Sequence, residues 1–144
     1  MKKCDGCTLC CKLFYIPYMN SNHGDYCKEC IPTVGCKIHT IRPEKCKTFQ
    51  CAYTQMLHVH SDLRPDKCGV VFEKITSTLM LGTTDGKIEN ISHLIKNQIA
   101  AFGREGISTM MQQFNPHKWR CSMVPGASKE EIIKSLKDKA HDST

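Results

Sequence analysis

The sequence predicts an α+β protein in which a small cysteine-rich, metal-bound N-terminal module packs on a small antiparallel sheet with two helices. Three observations predict it. Nine of the 11 cysteines fall within residues 1–51. Runs rich in β-branched and apolar residues follow at 69–81, 107–114 and 119–124. Amphipathic segments near 91–102 and 128–140 carry apolar residues at helical spacing. At 144 residues the chain fits one globular unit. We divide it into a cysteine-cluster portion at 1–60 and an α+β portion at 61–144, with no long linker between them.

The first portion opens with Cys4-x-x-Cys7-x-x-Cys10-Cys11, continues with Cys27-x-x-Cys30, and closes with Cys36, Cys46 and Cys51. Three chemistries compete for so many thiols. A disulfide framework needs an oxidising compartment. The N-terminal stretch, however, lacks the apolar core of a secretory signal. An odd total also leaves a thiol over, and adjacent Cys10 and Cys11 would have to reach different partners. Inert core thiols suit Cys121 or Cys68 singly, but not nine cysteines among Lys, Asp, Asn and Gly. Metal ligation explains the spacing, because a C-x-x-C turn points both sulfurs at one ion, and zinc takes four such ligands in a tetrahedron. Gly6, inside the first turn, is expected to take a left-handed backbone.

Size points the same way. Residues 1–51 hold few large apolar side chains, and a segment this small rarely folds on burial alone. A structural zinc supplies roughly 10–16 kcal/mol of apparent binding free energy to such a module. Charge does not choose the metal. Eight Lys/Arg against four acids leave this portion at +4 before any thiol ionises. Eight thiolates on two zinc ions, or four on one iron–sulfur cluster, are both electrostatically comfortable there. The surrounding lysines are expected to lower the thiol pKa values.

The segments CDGCTLCC at 4–11 and CKECIPTVGCKIHTIRPEKCKTFQC at 27–51 resemble the YkgJ-like cysteine-cluster family, with its C-x-x-C-x-x-C-C signature. Gly35-Cys36, Ile38-His39, Arg42-Pro43, Cys46, Phe49 and Cys51 fall on the pattern of its second stretch, while Lys47 stands where that family has Arg. Leu63-Arg64-Pro65-Asp66 is similar to a W-RPD element of one branch. The resemblance covers the first half of the chain and implies zinc or iron binding more than any reaction. Some flagellin lysine methylases carry a similar cluster, which keeps an enzymatic reading open by analogy.

The expected ligands are therefore Cys4, Cys7, Cys10, Cys11, Cys27, Cys30, Cys36, Cys46 and Cys51. His39, three residues after Cys36, is a further candidate, with an ordinary surface histidine as the simpler reading. A solvated role suits His58 and His60. Pro43 directs the chain between Cys36 and Cys46. Arg42 is expected to donate to cysteine sulfurs or backbone carbonyls, or to anchor Glu44. Cys68 is a candidate extra ligand or redox thiol.

Residues 52–60 are expected to continue a short helix and 61–68 to form a loop. GVVFEKITSTLML at 69–81 reads as one strand, with a further short strand at Lys87–Glu89 after the Asp85-Gly86 turn. Ile91, Leu94, Ile95, Ile99 and Phe102 define a helix with Asn90 as N-cap and Gly103 or Gly106 at its end. Residues 107–114 and Trp119–Val124 form a hairpin around Asn115-Pro116-His117-Lys118. Ser128-x-x-Glu131 is a capping box for a last helix to about Ala140, with a frayed C-terminus. Met80, Met110, Met111 and Met123 read as core filler, and Cys121 as a buried thiol.

The chain carries no Gly-rich phosphate loop, no nucleophile elbow and no H-E-x-x-H pair. No apolar run approaches the ~20 residues that span a bilayer, so a cytoplasmic location is expected. Two cofactor readings stay open: Zn2+ in closed thiolate sites, or iron as an Fe–S cluster with a redox or auxiliary enzymatic role. Nucleic acid is weakly supported as a partner. The net charge of +6 permits it, but the lysines are dispersed and no aromatic ladder is evident in the sequence.

Overall fold

A computed structural model describes residues 6–14, 19, 22–56 and 59–142, the side chains of 141 and 142 excepted. The cysteine portion is built from short pieces: α1 (Leu9–Leu13), a hairpin of β1 (Cys30–Ile31) and β2 (Gly35–Cys36), α2 (Glu44–Thr48) and α3 (Ala52–Gln55). The remainder comprises α4 (Pro65–Cys68), β3 (Val70–Thr76), β4 (Leu79–Thr84), α5 (His93–Arg104), β5 (Ser108–Gln113), β6 (Lys118–Ser122) and α6 (Lys129–Asp142). The α+β class stands.

The main sheet has the order β3-β4-β5-β6 and is mixed, not antiparallel throughout. The β3–β4 and β5–β6 pairs are antiparallel, but β4 and β5 run parallel, with Leu79 opposite Ser108 and Thr83 opposite Gln112. The reason is α5: a parallel pair needs a crossover, and α5 carries the chain back to start β5 beside β4. Residues 69–81 are not one strand. The chain reverses at Ser77 and Thr78, so that Thr76 faces Leu79 and β4 continues to Thr84. Lys87–Glu89 is not a strand either. Ile88–Asn90 forms a 3-10 turn whose Ile88 N–H donates to the buried Gln113 side-chain oxygen at 2.8 Å.

Alternation along β3 divides the core. Val70 and Phe72 face α5 and pack with Met80, Met111, Ile95 and Phe102. Ile95 and Phe102 are fully buried, each worth about 1.5–3 kcal/mol of burial. Val71 points to the other face and meets Leu9 and Leu13 of α1 together with Cys51. Helix α1 therefore docks on the sheet face opposite α5, while Ala52 of α3 packs into the core on the α5 side. Lys12 of α1 reinforces that docking with a 3.0 Å ion pair to Asp85.

Ser92, not Asn90, caps α5, its hydroxyl accepting from Ile95 N–H at 3.3 Å. Asn90 instead ends the 3-10 turn. Gly103 lies inside the helix, and Gly106 with φ +77° follows its end. Ser128 caps α6 as expected, accepting from Glu131 N–H at 3.4 Å. The Ser128 hydroxyl itself donates to Glu130 Oε2, not to Glu131, at 3.0 Å. Fraying is expected over the last four residues, but the helix runs beyond Ala140 to Asp142, so 141 and 142 are helical, while 143 and 144 lie outside the described residues.

The helix expected over 52–60 ends at Gln55, with Met56 extended and 57 and 58 outside the described residues, and 61–68 hold two helical turns where a loop was expected. Met80 and Met111 are core residues, whereas Met123 is 44% exposed. Cys121 is half-buried, and burial pushes its thiol up. Among the described residues no helix is long and apolar enough to cross a membrane.

Candidate metal centre

Turn chemistry assembles the cysteines. Gly6 has φ +72°, and a Cβ there would stand 2.8 Å from the Thr33 carbonyl oxygen. The position needs glycine for its left-handed backbone and for that close approach. The same neighbour is tied from the next turn, where Thr33 N–H donates to the Thr8 hydroxyl at 3.1 Å. Thr8 opens α1, which carries Cys10 and Cys11.

Backbone bonds then fasten the second pair to the first. Cys27 N–H donates to the Cys11 carbonyl and Cys30 N–H to the Cys27 carbonyl, both at 2.9 Å. Glu29 N–H donates to Cys27 Sγ at 3.4 Å. In the β1–β2 hairpin Cys30 sits directly opposite Cys36. Such partners project on one side with Cβ atoms ~4.5–5.5 Å apart. Cys46 lies on α2, where Pro43 precedes the helix and accepts from Cys46 N–H at 2.9 Å.

The electrostatics describe one crowded neighbourhood. The Cys11 thiol lies beside those of both Cys10 and Cys30. Its contact with Cys10, and then its burial, push it well above the ordinary value of 9.0. Burial, then Cys11, pushes Cys30 up to about 12. Burial, then repulsion from Cys11, Cys27 and Cys36, raises Cys46. The expected lowering by nearby lysines does not appear at these three thiols, because burial and thiol–thiol repulsion outweigh it. The opposing cation is Arg42, which favours the thiolates of Cys11 and Cys46. Arg42 thus acts on the cluster through its charge while it donates to His39 Nε2 at 2.9 Å. That bond engages the exposed His39 ring with arginine rather than with sulfur.

A second group lies beside the first. Cys7, Cys10 and Cys51 line a cavity of about 20 Å³ together with Tyr53, Pro65 and Val71. Arg64 bonds the Cys7 thiol and holds Asp66 at 2.8 Å. Cys68 is close enough for the Cys7 charge to act on it, and its thiol donates to the Leu63 and Val70 carbonyls, each at 3.4 Å. The role of Arg64 was not assigned from sequence, although it stands in the Leu63-Arg64-Pro65-Asp66 stretch that the family resemblance singles out.

Of the nine expected ligands, Cys10, Cys11, Cys27, Cys30, Cys36 and Cys46 share one neighbourhood, and Cys7 and Cys51 meet Cys10 at the second. Cys4 lies outside the described residues, as does His58. His60 is exposed and its ring accepts from Asp62 N–H at 3.1 Å. None of the ten described cysteines is joined in a disulfide. Among the described residues, no three Cys, His, Asp or Glu side chains are arranged to hold an ion. The fit to a metal is therefore one of donor chemistry: buried and half-buried thiol sulfurs, the donor type that suits zinc, copper(I) or iron–sulfur clusters. No protein-family model matches the chain, and no curated protein or solved structure matches it.

Proposed function

We propose that this chain is a cytoplasmic metal-binding protein that holds zinc through clustered cysteine thiolates, as its resemblance to the YkgJ-like family implies. The observation that supports the reading best is the setting of Cys11. Its thiol lies beside those of Cys10 and Cys30, its carbonyl accepts from Cys27 N–H, and Cys30 faces Cys36 across the hairpin. Thiols this close raise one another's pKa, and a divalent cation among them relieves that repulsion. Cys10, Cys11, Cys27, Cys30, Cys36 and Cys46 would hold the ion or share it between them, with Cys7 and Cys51 adjoining. Zinc bound in this way supplies folding free energy and offers no open position for catalysis. Arg42 is a positioning residue in this scheme, its charge favouring the thiolate forms.

The competing cofactor is iron, since C-x-x-C-x-x-C is also ferredoxin-like spacing. The test is native mass spectrometry beside elemental analysis of protein purified without oxygen. Zinc bound at a whole-number ratio, lost on treatment with a chelator, is the expected result. A brown protein with labile sulfide would replace zinc by a cluster, and metal-free protein with unchanged stability would end the proposal.

A further inference from the structure

Three rings of the β5–β6 turn and β6, joined by one from far away in the sequence, form a ladder at the edge of the sheet. His23 stacks on Phe114 with centroids 4.0 Å apart and planes within 5°. Phe114 stacks on His117 at 5.1 Å and 25°, and His117 meets Trp119 at 4.9 Å and 52°. His23 comes from the cysteine portion, where its Nδ1–H donates to the Leu13 carbonyl at 3.1 Å. The other three come from the β5–β6 turn and β6. The ladder ends on an indole that remains 49% exposed.

Its setting is basic. β6 is the outermost strand, and Lys118 and Arg120 flank Trp119 along it, both exposed. Alternation places these cations on the face opposite the indole, at the same open edge. Glu89 offsets part of their charge, pairing with Lys118 at 3.4 Å and feeling Arg120 more weakly.

We propose that this edge binds single-stranded nucleic acid, with unpaired bases stacking on Trp119 to extend the ladder and phosphates meeting Lys118 and Arg120. An exposed indole at the end of stacked rings offers a π surface that any base can use, and adjacent cations supply the backbone attraction. A second copy of this chain is disfavoured as occupant. Antiparallel pairing of β6 with itself about its centre would set Arg120 against Arg120, a like-charge cross-strand contact. The proposal is independent of the identity of the metal.

The chain holds a single tryptophan, so its intrinsic fluorescence reports on this site alone. The full chain, purified without oxygen and with its metal retained, is titrated with a short oligothymidylate at low salt. Saturable quenching of Trp119 that weakens steeply with added salt is expected. Anisotropy of a fluorescein-labelled oligothymidylate then reads the variants. Trp119→Ala should weaken binding by roughly 5–150-fold and Trp119→Phe by much less. Arg120→Ala should lower the salt slope by about 0.7. Absence of quenching, equal affinity for Trp119→Ala, or a fluorescence change that follows protein concentration and dimer formation instead of oligonucleotide would each overturn it.

Discussion

Cys51 pairs with Glu73 as an antiparallel bridge, so the last cysteine of the cluster is also an extension of the main sheet. Its side chain packs with Leu9, Leu13 and Val71. The sulfur-rich portion and the sheet are thus joined at the backbone as well as through the Lys12–Asp85 ion pair. Chelation under reducing conditions should consequently strip amide-exchange protection from residues 22–50 first, with slower loss at β3 and retention in β4 and β5. Hydrogen exchange with and without chelator measures this, and unchanged protection across 22–50 would contradict metal support of that region.

Individual thiols should differ sharply in their effect on metal content. Cys11→Ser and Cys30→Ser should each lower bound zinc, since these thiols touch one another at the centre of the group. Cys121→Ser should leave it unchanged, because Cys121 lies on β6, opposite Met110. Elemental analysis of the three purified variants separates these outcomes.

Cys30 also predicts a pH response of the metal-free protein, whose cysteine portion opens more readily than the metal-loaded one but still folds. Its thiol rises from an ordinary 9.0 to about 12 in the fold, chiefly through burial. The folded state therefore holds this proton more tightly than the unfolded chain. The resulting stabilisation is fully present below pH 9 and is lost as pH climbs towards 12. Urea midpoints at pH 8 and pH 10.5 should fall further for the wild type than for Cys30→Ser; an equal fall would show that this thiol is not the cause.

Gly6→Ala should destabilise the protein by at least about 1–2 kcal/mol, the left-handed backbone alone accounting for that much. The added methyl also meets the Thr33 carbonyl oxygen. The urea midpoint of the metal-loaded protein reads the loss, and the same change at Gly86, where nothing lies within 4 Å, serves as control.

Gln113 is buried and uses both ends of its amide, accepting from Ile88 N–H at 2.8 Å and donating to the Pro116 carbonyl at 2.9 Å. Gln113→Leu leaves both backbone partners unmatched and should cost about 1–3 kcal/mol. The β5–β6 turn should loosen with it, which Trp119 fluorescence anisotropy would register.

Much of this was legible in the sequence where the signal is local. The period of Ile91, Leu94, Ile95, Ile99 and Phe102 gave α5, and the Asn115-Pro116 turn gave the β5–β6 hairpin. The β3–β4 hairpin was hidden because Ser77-Thr78 carries none of the glycine or asparagine that marks a tight turn, leaving an unbroken β-branched run. The parallel β4–β5 pair is a matter of topology, which periodicity does not encode. At the candidate site, cysteine spacing identified the donors, but Arg64 beside Cys7 and the division of sulfurs into two groups depend on how loops fold back. The ring ladder was missed for the same reason, since His23 and Phe114 meet only once the cysteine portion docks.

The outer border of β6 has a consequence for the behaviour of the molecule at high concentration. A strand without a neighbour on one side invites further chains to pair along it, edge to edge. Lysine and arginine along that border make each such addition a meeting of like charges, so the protein resists fibril growth from this side.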